Sequence, residues 1–263
     1  MLVKLALPDF AAVGPLVAGL SHQLSANAVL AGQMPGDVFV DDAARPTAAL
    51  VQSPEGWFVA GDPGNTRFVA GLRDRVTSAL DAGARDFVLD FGAAAWAAHA
   101  HELAPESTCI TVARRHYVFS GLKSPTAQPP AGYRLEPLTP TLLDRCQVPD
   151  HVHGWISSNW GSVDAFVTRG FGAAAVRGST VVSWSLADCV TAGRAEIGIH
   201  TAPEHRRRGL AAAVAATAVA LALDRGLTDV GWHCNDDNVG SYRTAETVGF
   251  ALERRYQYFA YRP

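Results

Sequence analysis

The C-terminal half of the chain shows the clearest pattern of apolar and polar positions. Residues 171–177, 180–186 and 194–201 are rich in Val, Ile, Trp and Ala and are separated by Gly-containing turns, which predicts three strands. A longer apolar stretch then predicts a helix over 208–225, ended by Gly226. Around these elements we predict strands at 133–137, 228–234 and 250–261 and helices at 139–147, 162–169 and 238–248.

The N-terminal half gives a similar order of elements. We predict a hairpin of strands 56–60 and 67–72 around Asp62-Pro63-Gly64-Asn65. The elements predicted after it are a helix at 73–82, a strand at 86–91, a helix at 93–103 and a strand at 108–119.

Short stretches of the two halves also match in sequence. The matching stretches are residues 79–86 with 222–229, and Arg114-Arg115 and Phe119 with Arg254-Arg255 and Phe259. Matches of this size also arise by chance in an Ala-rich chain, so an internal repeat and a coincidence both stay open. In a true repeat the first copy would be degenerate, because no Gly-containing loop stands between Leu72 and Arg73.

A break in the pattern separates the halves. Pro125, Pro129, Pro130 and Gly132 cluster there without periodic apolar residues, as in a linker. We therefore predict an N-terminal domain at 1–123, a linker at 124–132 and a C-terminal domain at 133–263.

Composition narrows the function classes. The 263 residues are 48% hydrophobic and 18% charged, which indicates a globular protein, and a net charge of −3 predicts no nucleic-acid partner. The four cysteines form no Cys-x-x-Cys pair, which argues against a zinc site or disulfide scaffold and favours the cytoplasm. The apolar stretch 210–223 is shorter than the roughly 20 residues that cross a bilayer, so we predict no membrane segment.

A basic loop joins the strand at 194–201 to the long helix. It reads Arg206-Arg207-Arg208-Gly209-Leu210-Ala211. Backbone N–H groups at a helix N-terminus favour phosphate, and Gly209 and Ala211 are small enough for a pyrophosphate to reach the main chain. A basic helix start also occurs without a ligand, so the loop alone is a weak signal.

The loop and the segment after it together resemble the GNAT superfamily of N-acetyltransferases. The residues that carry the resemblance are Arg206-x-x-Gly209-x-Ala211 and, after an intervening strand, Asn238-x-x-Ser241, Ala245 and Gly249-Phe250. Finer features resemble the branch of zwittermicin-resistance-like acetyltransferases, namely Glu196-Ile197-Gly198-Ile199, Thr201, Arg208-Gly209-Leu210-Ala211, Trp232-x-Cys234 and Asn238. The resemblance implies an α/β protein of the GNAT fold, a mixed twisted sheet flanked by helices, with a degenerate GNAT-like N-terminal half.

The same resemblance implies acetyl-CoA as cosubstrate, bound between the fourth and fifth strands of the GNAT sheet. Main-chain groups of the fourth strand would pair with the pantetheine arm as another strand would. The coenzyme contacts that it implies are Ile199, His200, Thr201, Arg206, Arg207, Arg208, Gly209, Leu210, Ala211, Asn238 and Ser241.

Direct transfer to an amine needs a group that takes a proton from that amine. Relatives place a Glu at the position of Glu196, which makes it one candidate, although it could equally be a carboxylate that pairs with Arg194. His200 is the rival, because it lies four residues on and so on the same strand face. A packed strand histidine without chemistry is the alternative reading of His200.

A second group must protonate the leaving thiolate. Many family members carry a Tyr where this chain has Ala245. That departure leaves Ser241, Tyr242 or water as substitutes, and Ser241 is our candidate.

The segment 150–160 is rich in aromatic and imidazole groups, and we predict it as a loop between helices, where relatives build the acceptor pocket. The candidate acceptor contacts are His151, His153, Trp155 and Trp160. Core packing is the alternative for the two Trp side chains. His151-x-His153 has no third ligand at a suitable spacing, so we predict no metal.

These expectations combine into acetyl-CoA-dependent N-acetylation of the amine of a small molecule, such as an antibiotic or a related metabolite. The missing Tyr at position 245 keeps open a non-catalytic acyl-CoA sensor or interaction module. An acetyltransferase of peptide or protein amines is a further option. Monomer and homodimer both stay open.

Overall fold

The structure is a computed structural model that describes residues 2–84, 87–121 and 129–262. The chain forms two compact units. One comprises Met1–Ala113 with Tyr256–Pro263, and the other comprises Arg114–Arg255. None of the described helices is long and apolar enough to cross a membrane.

The first unit is built on a mixed sheet. In chain order its elements are β1 (Val3–Lys4), α1 (Leu24–Leu30), β2 (Asp37–Val40), β3 (Ala48–Ser53), β4 (Gly56–Gly61), α2 (Thr66–Asp81), β5 (Phe87–Phe91) and the first part of β6 (Thr108–Phe119), with 3-10 helices at Leu7–Val13, Leu16–Leu20 and Ala94–His99. Strands β1 to β4 pair in sequence as antiparallel neighbours, and β5 runs parallel to β4. The short 3-10 helix at Ala94–His99 replaces the longer helix predicted at 93–103.

Helix α2 corrects one prediction for this unit. Residues 67–72 form its first turns, so the predicted strand and its hairpin are wrong. Asn65 begins the helix, because its side chain accepts a hydrogen bond from the Phe68 N–H at 2.9 Å. Phe68, Leu72 and Val76 recur at every fourth residue and are fully buried, which is the helical period.

The second unit contains the predicted βββ-α-β-α-β order. Its elements are β7 (Arg134–Pro137), α3 (Pro140–Arg145), α4 (Asp150–Trp160), α5 (Val163–Arg169), β8 (Gly172–Arg177), β9 (Thr180–Thr191), β10 (Arg194–Thr201), a 3-10 turn (Pro203–His205), α6 (Leu210–Asp224), β11 (Asp229–Asn235), α7 (Val239–Val248) and β12 (Phe250–Arg262). Its strands lie in the order β7-β8-β9-β10-β11-β6. Helix α6 packs against β8, β9 and β10, and α4 packs against β9.

Helix α4 corrects a second prediction, since residues 150–160 are not a loop. Pro149 precedes the helix, and Gly161 ends it in a left-handed conformation at φ 77°. Val152 and Ile156, four residues apart, are fully buried and form its core-facing stripe.

Each unit includes a strand from the other half of the chain. Residues 114–118 of β6 pair with β11 in the second unit, and the end of β12 pairs with β5 in the first, where Phe259 lies opposite Leu89. The division at 123 and 133 stays a prediction. Of the predicted linker, residues 124–128 lie outside the described part of the chain.

Both units are α/β, with mixed sheets flanked by helices, as predicted. The stretches that match in sequence also lie in matching places. Residues 79–84 span the end of α2 and the residues after it, and residues 222–227 do the same for α6, while residues 85 and 86 of the first stretch lie outside the described part of the chain.

Candidate functional site

The parallel strands β10 and β11 pair over only three residues. Residues 194–196 face residues 229–231, whereas β10 continues to Thr201 and β11 to Asn235. Beyond Glu196, β10 stays paired with β9, and β11 stays paired with β6. The strands therefore bound a gap, closed at Glu196 and Gly231, along which residues 197–201 offer main-chain groups to an added strand-like ligand.

The N-terminus of α6 has no side-chain cap. Its N-cap residue is Gly209, at φ 77°, and no side chain bonds to the first turn. Arg207 is also left-handed, at φ 59°, which is uncommon for a residue with a Cβ. The first N–H groups of a helix have no intrahelical partner, so this loop leaves donors for an anion, as the sequence predicts.

A side chain ties the loop to the strand before it. The Arg206 Nε donates to the carbonyl oxygen of Thr201 at 3.0 Å. This hydrogen bond links the end of β10 to the loop before α6, which are the two predicted coenzyme-binding segments.

These segments border a cavity of about 650 Å³. Ten of the predicted coenzyme contacts line it, namely Ile199, His200, Thr201, Arg206, Arg207, Gly209, Leu210, Ala211, Asn238 and Ser241. Arg208 is exposed and is not among the lining residues. The lining residues that sequence reasoning missed include His205 and, on α7, Arg243, Thr244 and Thr247. The helical spacing of Ser241, Thr244 and Thr247 would have indicated this shared face.

Helix α7 forms the far wall of the cavity. The Asn238 side chain caps it by accepting from the Ser241 N–H at 3.1 Å, and the Ser241 hydroxyl accepts from Trp232 Nε1 at 3.0 Å. Ala245 is fully buried and is not among the lining residues. Ser241 therefore places a hydroxyl on the wall, while position 245 offers no group to the cavity.

His200 lies among rings from two elements. The His151 ring of α4 is 4.8 Å from the His200 ring, and the Trp184 indole of β9 is 5.9 Å from it. Trp184 Nε1 donates to His151 Nε2 at 3.3 Å. Burial, and then the charges of His151 and Arg206, lower the pKa of His200, so its imidazole is neutral at pH 7.

The other predicted acceptor contacts are placed differently. Trp155 packs edge-on against Trp184 at 4.9 Å and lies over Gly198. His153 is half-buried on α4. Trp160 is 3% exposed, and its Nε1 donates to the Ala187 carbonyl at 2.9 Å, so it is a core residue and does not reach an acceptor.

Glu196 lies in a cluster that sequence reasoning missed. Its Oε1 is 3.3 Å from His116 Nε2 and 3.5 Å from His233 Nε2, and His116 Nδ1 is 2.8 Å from Glu253 Oε2. His116 and His233 are opposite each other on β6 and β11. The sequence could have indicated this cluster only if the pairing of β6 with β11 were known, and no local pattern shows that pairing.

The charges in this cluster are set by its neighbours. Burial alone would raise the pKa of Glu196, but the imidazoles of His233 and His116 outweigh it and hold the pKa at about 2. Burial would lower the pKa of His116, but Glu196 and Glu253 raise it overall. Burial lowers the pKa of His233, although Glu196 offsets part of the effect. Glu196 is therefore a carboxylate, and His233 is neutral at pH 7.

By donor type His116, Glu196 and His233 could hold a metal ion, since their ligand atoms lie within 4.8 Å of one another. The two imidazoles, however, are stacked, with centroids 4.3 Å apart and planes 20° from parallel. Lone pairs in two stacked ring planes do not converge on one ion. As placed, these side chains form an ion-pair cluster.

The first unit has no such gap among its described residues. Strands β4 and β5 are paired from Trp57–Leu89 to Val59–Phe91, and the Gly92 N–H continues the ladder to Val59. The Asn65 side chain caps α2, the counterpart of α6 in chain order. The described part of the first unit therefore has neither a gap between β4 and β5 nor an uncapped start of α2, the counterparts of the two features that could hold a coenzyme in the second unit.

Comparisons with known proteins agree with this geometry. A family model described as GNAT acetyltransferase matches residues 15–259. The chain is 27% identical over 234 residues to the uncharacterized N-acetyltransferase YdfB of Bacillus subtilis (strain 168), covering 87% of this chain and 86% of the relative.

Solved structures share the fold. A GCN5-related N-acetyltransferase-like protein from Streptococcus suis 89/1591 matches with a TM-score of 0.75 at 22% identity, over 97% of this chain and 99% of that one. A GCN5-related N-acetyltransferase from Sphaerobacter thermophilus matches with a TM-score of 0.64 at 15% identity, over 100% and 96% of the two chains. The chain therefore belongs to the GNAT acetyltransferase family and is an acyltransferase of the GNAT fold.

Proposed function

We propose that this acyltransferase moves the acetyl group of acetyl-CoA to the amine of a small molecule. The observation that carries the proposal is the gap between β10 and β11, which opens beside the uncapped start of α6. A pantetheine arm would pair with residues 197–201, and the pyrophosphate would accept from the N–H groups at the start of α6. Arg206 and Arg207, on the cavity wall, would offset its charge.

The acceptor side supports a small amine. On β10, Glu196, Gly198 and His200 follow one another at alternate positions and so share a face. Trp155 lies over Gly198, and His151 lies against His200. Side chains from α4 thus crowd the face that the acceptor must approach, which favours a small molecule over an extended peptide. An antibiotic or related metabolite is the acceptor class that the sequence resemblance suggests.

The chemistry needs one proton removed from the amine and one supplied to the thiolate. An imidazole suits the first task better than Glu196, because a carboxylate with a pKa of about 2 holds a proton poorly at pH 7. The Ser241 hydroxyl, on the cavity wall, suits the second task. Proximity of amine and thioester in the same cleft would supply most of the rate.

Thiol release tests this function. Each reaction contains the purified protein, acetyl-CoA and one of four amines, namely spermidine, tyramine, kanamycin or the dipeptide Gly-Gly. Free thiol is measured against time. Release with at least one of the three small amines supports the proposal. Release with Gly-Gly alone favours a peptide acceptor. Thermal stabilisation by acetyl-CoA without release from any amine favours the sensor and contradicts the proposal.

A further inference from the structure

The cluster around Glu196 lies at the closed end of the gap between β10 and β11. Glu196 is the last residue of β10 that pairs with β11, opposite Gly231, and His233 follows two residues later on the same face of β11. Gly231 leaves the space that the Glu196 carboxylate fills, because a Cβ there would meet its oxygens at 2.3–2.5 Å. His233 is thus the imidazole on the β11 wall nearest this end.

Resting on the proposed function, we propose that His233 takes the proton that the acceptor amine must lose, and that Glu196 is its carboxylate partner. His233 would be a catalytic residue, and Glu196 a positioning residue that acts through it. This differs from the sequence reading, in which Glu196 and its rival His200 are the candidate bases.

Burial and contacts separate the two roles. The Glu196 side chain is 8% exposed, whereas that of His233 is 15% exposed, so the imidazole is the more accessible group. The Glu196 Oε1 lies between the Nε2 atoms of His116 and His233, at 3.3 and 3.5 Å. A carboxylate so placed orients an imidazole and stabilises the cation that forms on it.

The charge of the cluster favours uptake of one proton. Glu196 and Glu253 are carboxylates, and His116 between them is the imidazole whose protonated form they favour. With His233 neutral, the four groups carry one net negative charge. A proton on His233 cancels it. Burial, and then the charges of His116 and Arg114, oppose the uptake, whereas Glu196 favours it.

His200 is less suited to the same task. Electrostatic effects of its neighbours His151 and Arg206 both disfavour a proton on its ring, and no carboxylate is among the groups that shift its pKa. We therefore assign His200 to the cavity wall.

The step balances with no further reactant. The ammonium form of the amine gives one proton to His233, and the neutral nitrogen then forms a bond to the acetyl carbon. The carbon–sulfur bond breaks, the Ser241 hydroxyl gives its proton to the thiolate, and Ser241 regains a proton from the nitrogen, which loses its second one. His233 finally releases its proton to water, so that amide, free thiol and one proton are the products.

The test is the pH profile of kcat/KM in three variants, measured with whichever of the four amines the wild type acetylates fastest. His233→Asn should lower kcat/KM about 10²–10⁴-fold above pH 7 and remove the acidic limb of the profile. Glu196→Gln should keep the limb but shift it to lower pH, because loss of a negative neighbour makes His233 a weaker base. His101→Asn, an exposed histidine of the first unit, is the matched control and should behave as wild type.

Two readings of the profile overturn the inference. In the first, His233→Asn has the kcat/KM profile of the wild type. In the second, Glu196→Gln loses the acidic limb of the profile while His233→Asn only shifts it, which would make Glu196 the base. Unchanged affinity for acetyl-CoA in calorimetry shows that each variant is folded. If instead the wild type releases no thiol with any amine, the proposed function itself fails, which is a separate result.

Discussion

The chemistry of Glu196 depends on its neighbours, because the two imidazoles beside it set the pKa of its carboxyl group. From sequence, Glu196 is a candidate base, and the alternative is a carboxylate that pairs with Arg194. In the structure Arg194 pairs with Asp229 at 2.6 Å, and Glu196 lies between His116 and His233 instead. The identity of the residue was visible in the sequence, but its protonation depends on side chains from two other strands.

Gly209 offers a residue-level test of the coenzyme loop. It has φ 77°, and a Cβ there would meet nothing within 4 Å. In the proposed complex the pyrophosphate would occupy this space, so a larger side chain would exclude it. We expect Gly209→Val to weaken acetyl-CoA binding roughly tenfold or more, about 1.4 kcal/mol. Calorimetric titration measures this directly.

Gly193 is the matched control for that variant. It also has φ 77° and open space around its Cβ position, but it lies in the turn between β9 and β10, away from the cavity lining. Gly193→Val should therefore carry the same cost of a left-handed side chain, about 1–2 kcal/mol, and bind acetyl-CoA as wild type does. Equal affinities for the two variants would refute the assigned loop.

His151 provides a second test at this scale. The electrostatic influence of the His151 imidazole is one of the causes that lower the pKa of His200. His151→Gln replaces that imidazole with a side chain that takes up no proton, so the protonated form of His200 is less disfavoured and its pKa should rise. Histidine ring signals in an NMR titration report the change.

The control is His153→Gln, two residues along the same helix and so on another side of it. It should leave the His200 titration as in the wild type. A His200 curve that is the same in the wild type and His151→Gln would speak against the contact.

At the level of elements, sequence periodicity predicted most of the second unit. Strands β6 and β10 lie where expected, and Thr139, Ser162 and Asn238 cap α3, α5 and α7. The first turns of α2 and the whole of α4 were predicted wrongly, and α1 was not predicted. The Asp-Pro-Gly-Asn sequence before α2 is typical of a hairpin turn but ends in a helix cap, and the many rings of α4 hid its stripe of Val152 and Ile156.

Two asparagine caps allow an element-level prediction. Asn238 caps α7 at the cavity, and Asn65 caps α2 in the first unit. Replacing either with Ala should lower the free energy of unfolding by about 1 kcal/mol. Only Asn238→Ala should also weaken acetyl-CoA binding, because Asn238 and Ser241 line the cavity.

Denaturant titration and calorimetry, run side by side, make this comparison. If Asn65→Ala weakens acetyl-CoA binding as much as Asn238→Ala does, the effect is general destabilisation and the role of α7 in the site is wrong.

For the whole molecule, the sequence left a repeat of two similar halves open, and it did not show how the strands of the two halves pair. The matching stretches predict similar elements, yet they carry no information on which half receives β6 or β12. Register depends on tertiary packing, and similar strands from a repeat satisfy either arrangement. The observed exchange therefore had no local signal.

The exchange predicts that neither predicted domain folds alone. A fragment of residues 1–123 lacks the end of β12, where Tyr261 is fully buried and its hydroxyl donates to the Ala100 carbonyl at 2.7 Å. A fragment of residues 133–263 lacks the buried His116 and Tyr117 of β6. We expect neither to melt cooperatively by circular dichroism, and an equimolar mixture to regain a cooperative transition. Cooperative melting of fragment 1–123 by itself would support independent domains instead.

The exchanged strands also bear on how such a chain can change over generations. Loss of the N-terminal half would remove β6, which pairs with β11, and loss of the C-terminal half would remove β12, which pairs with β5. Recombination therefore cannot delete or replace one half of the gene without taking a strand from the other unit. This constraint would keep the first unit in the chain whether or not it binds a coenzyme.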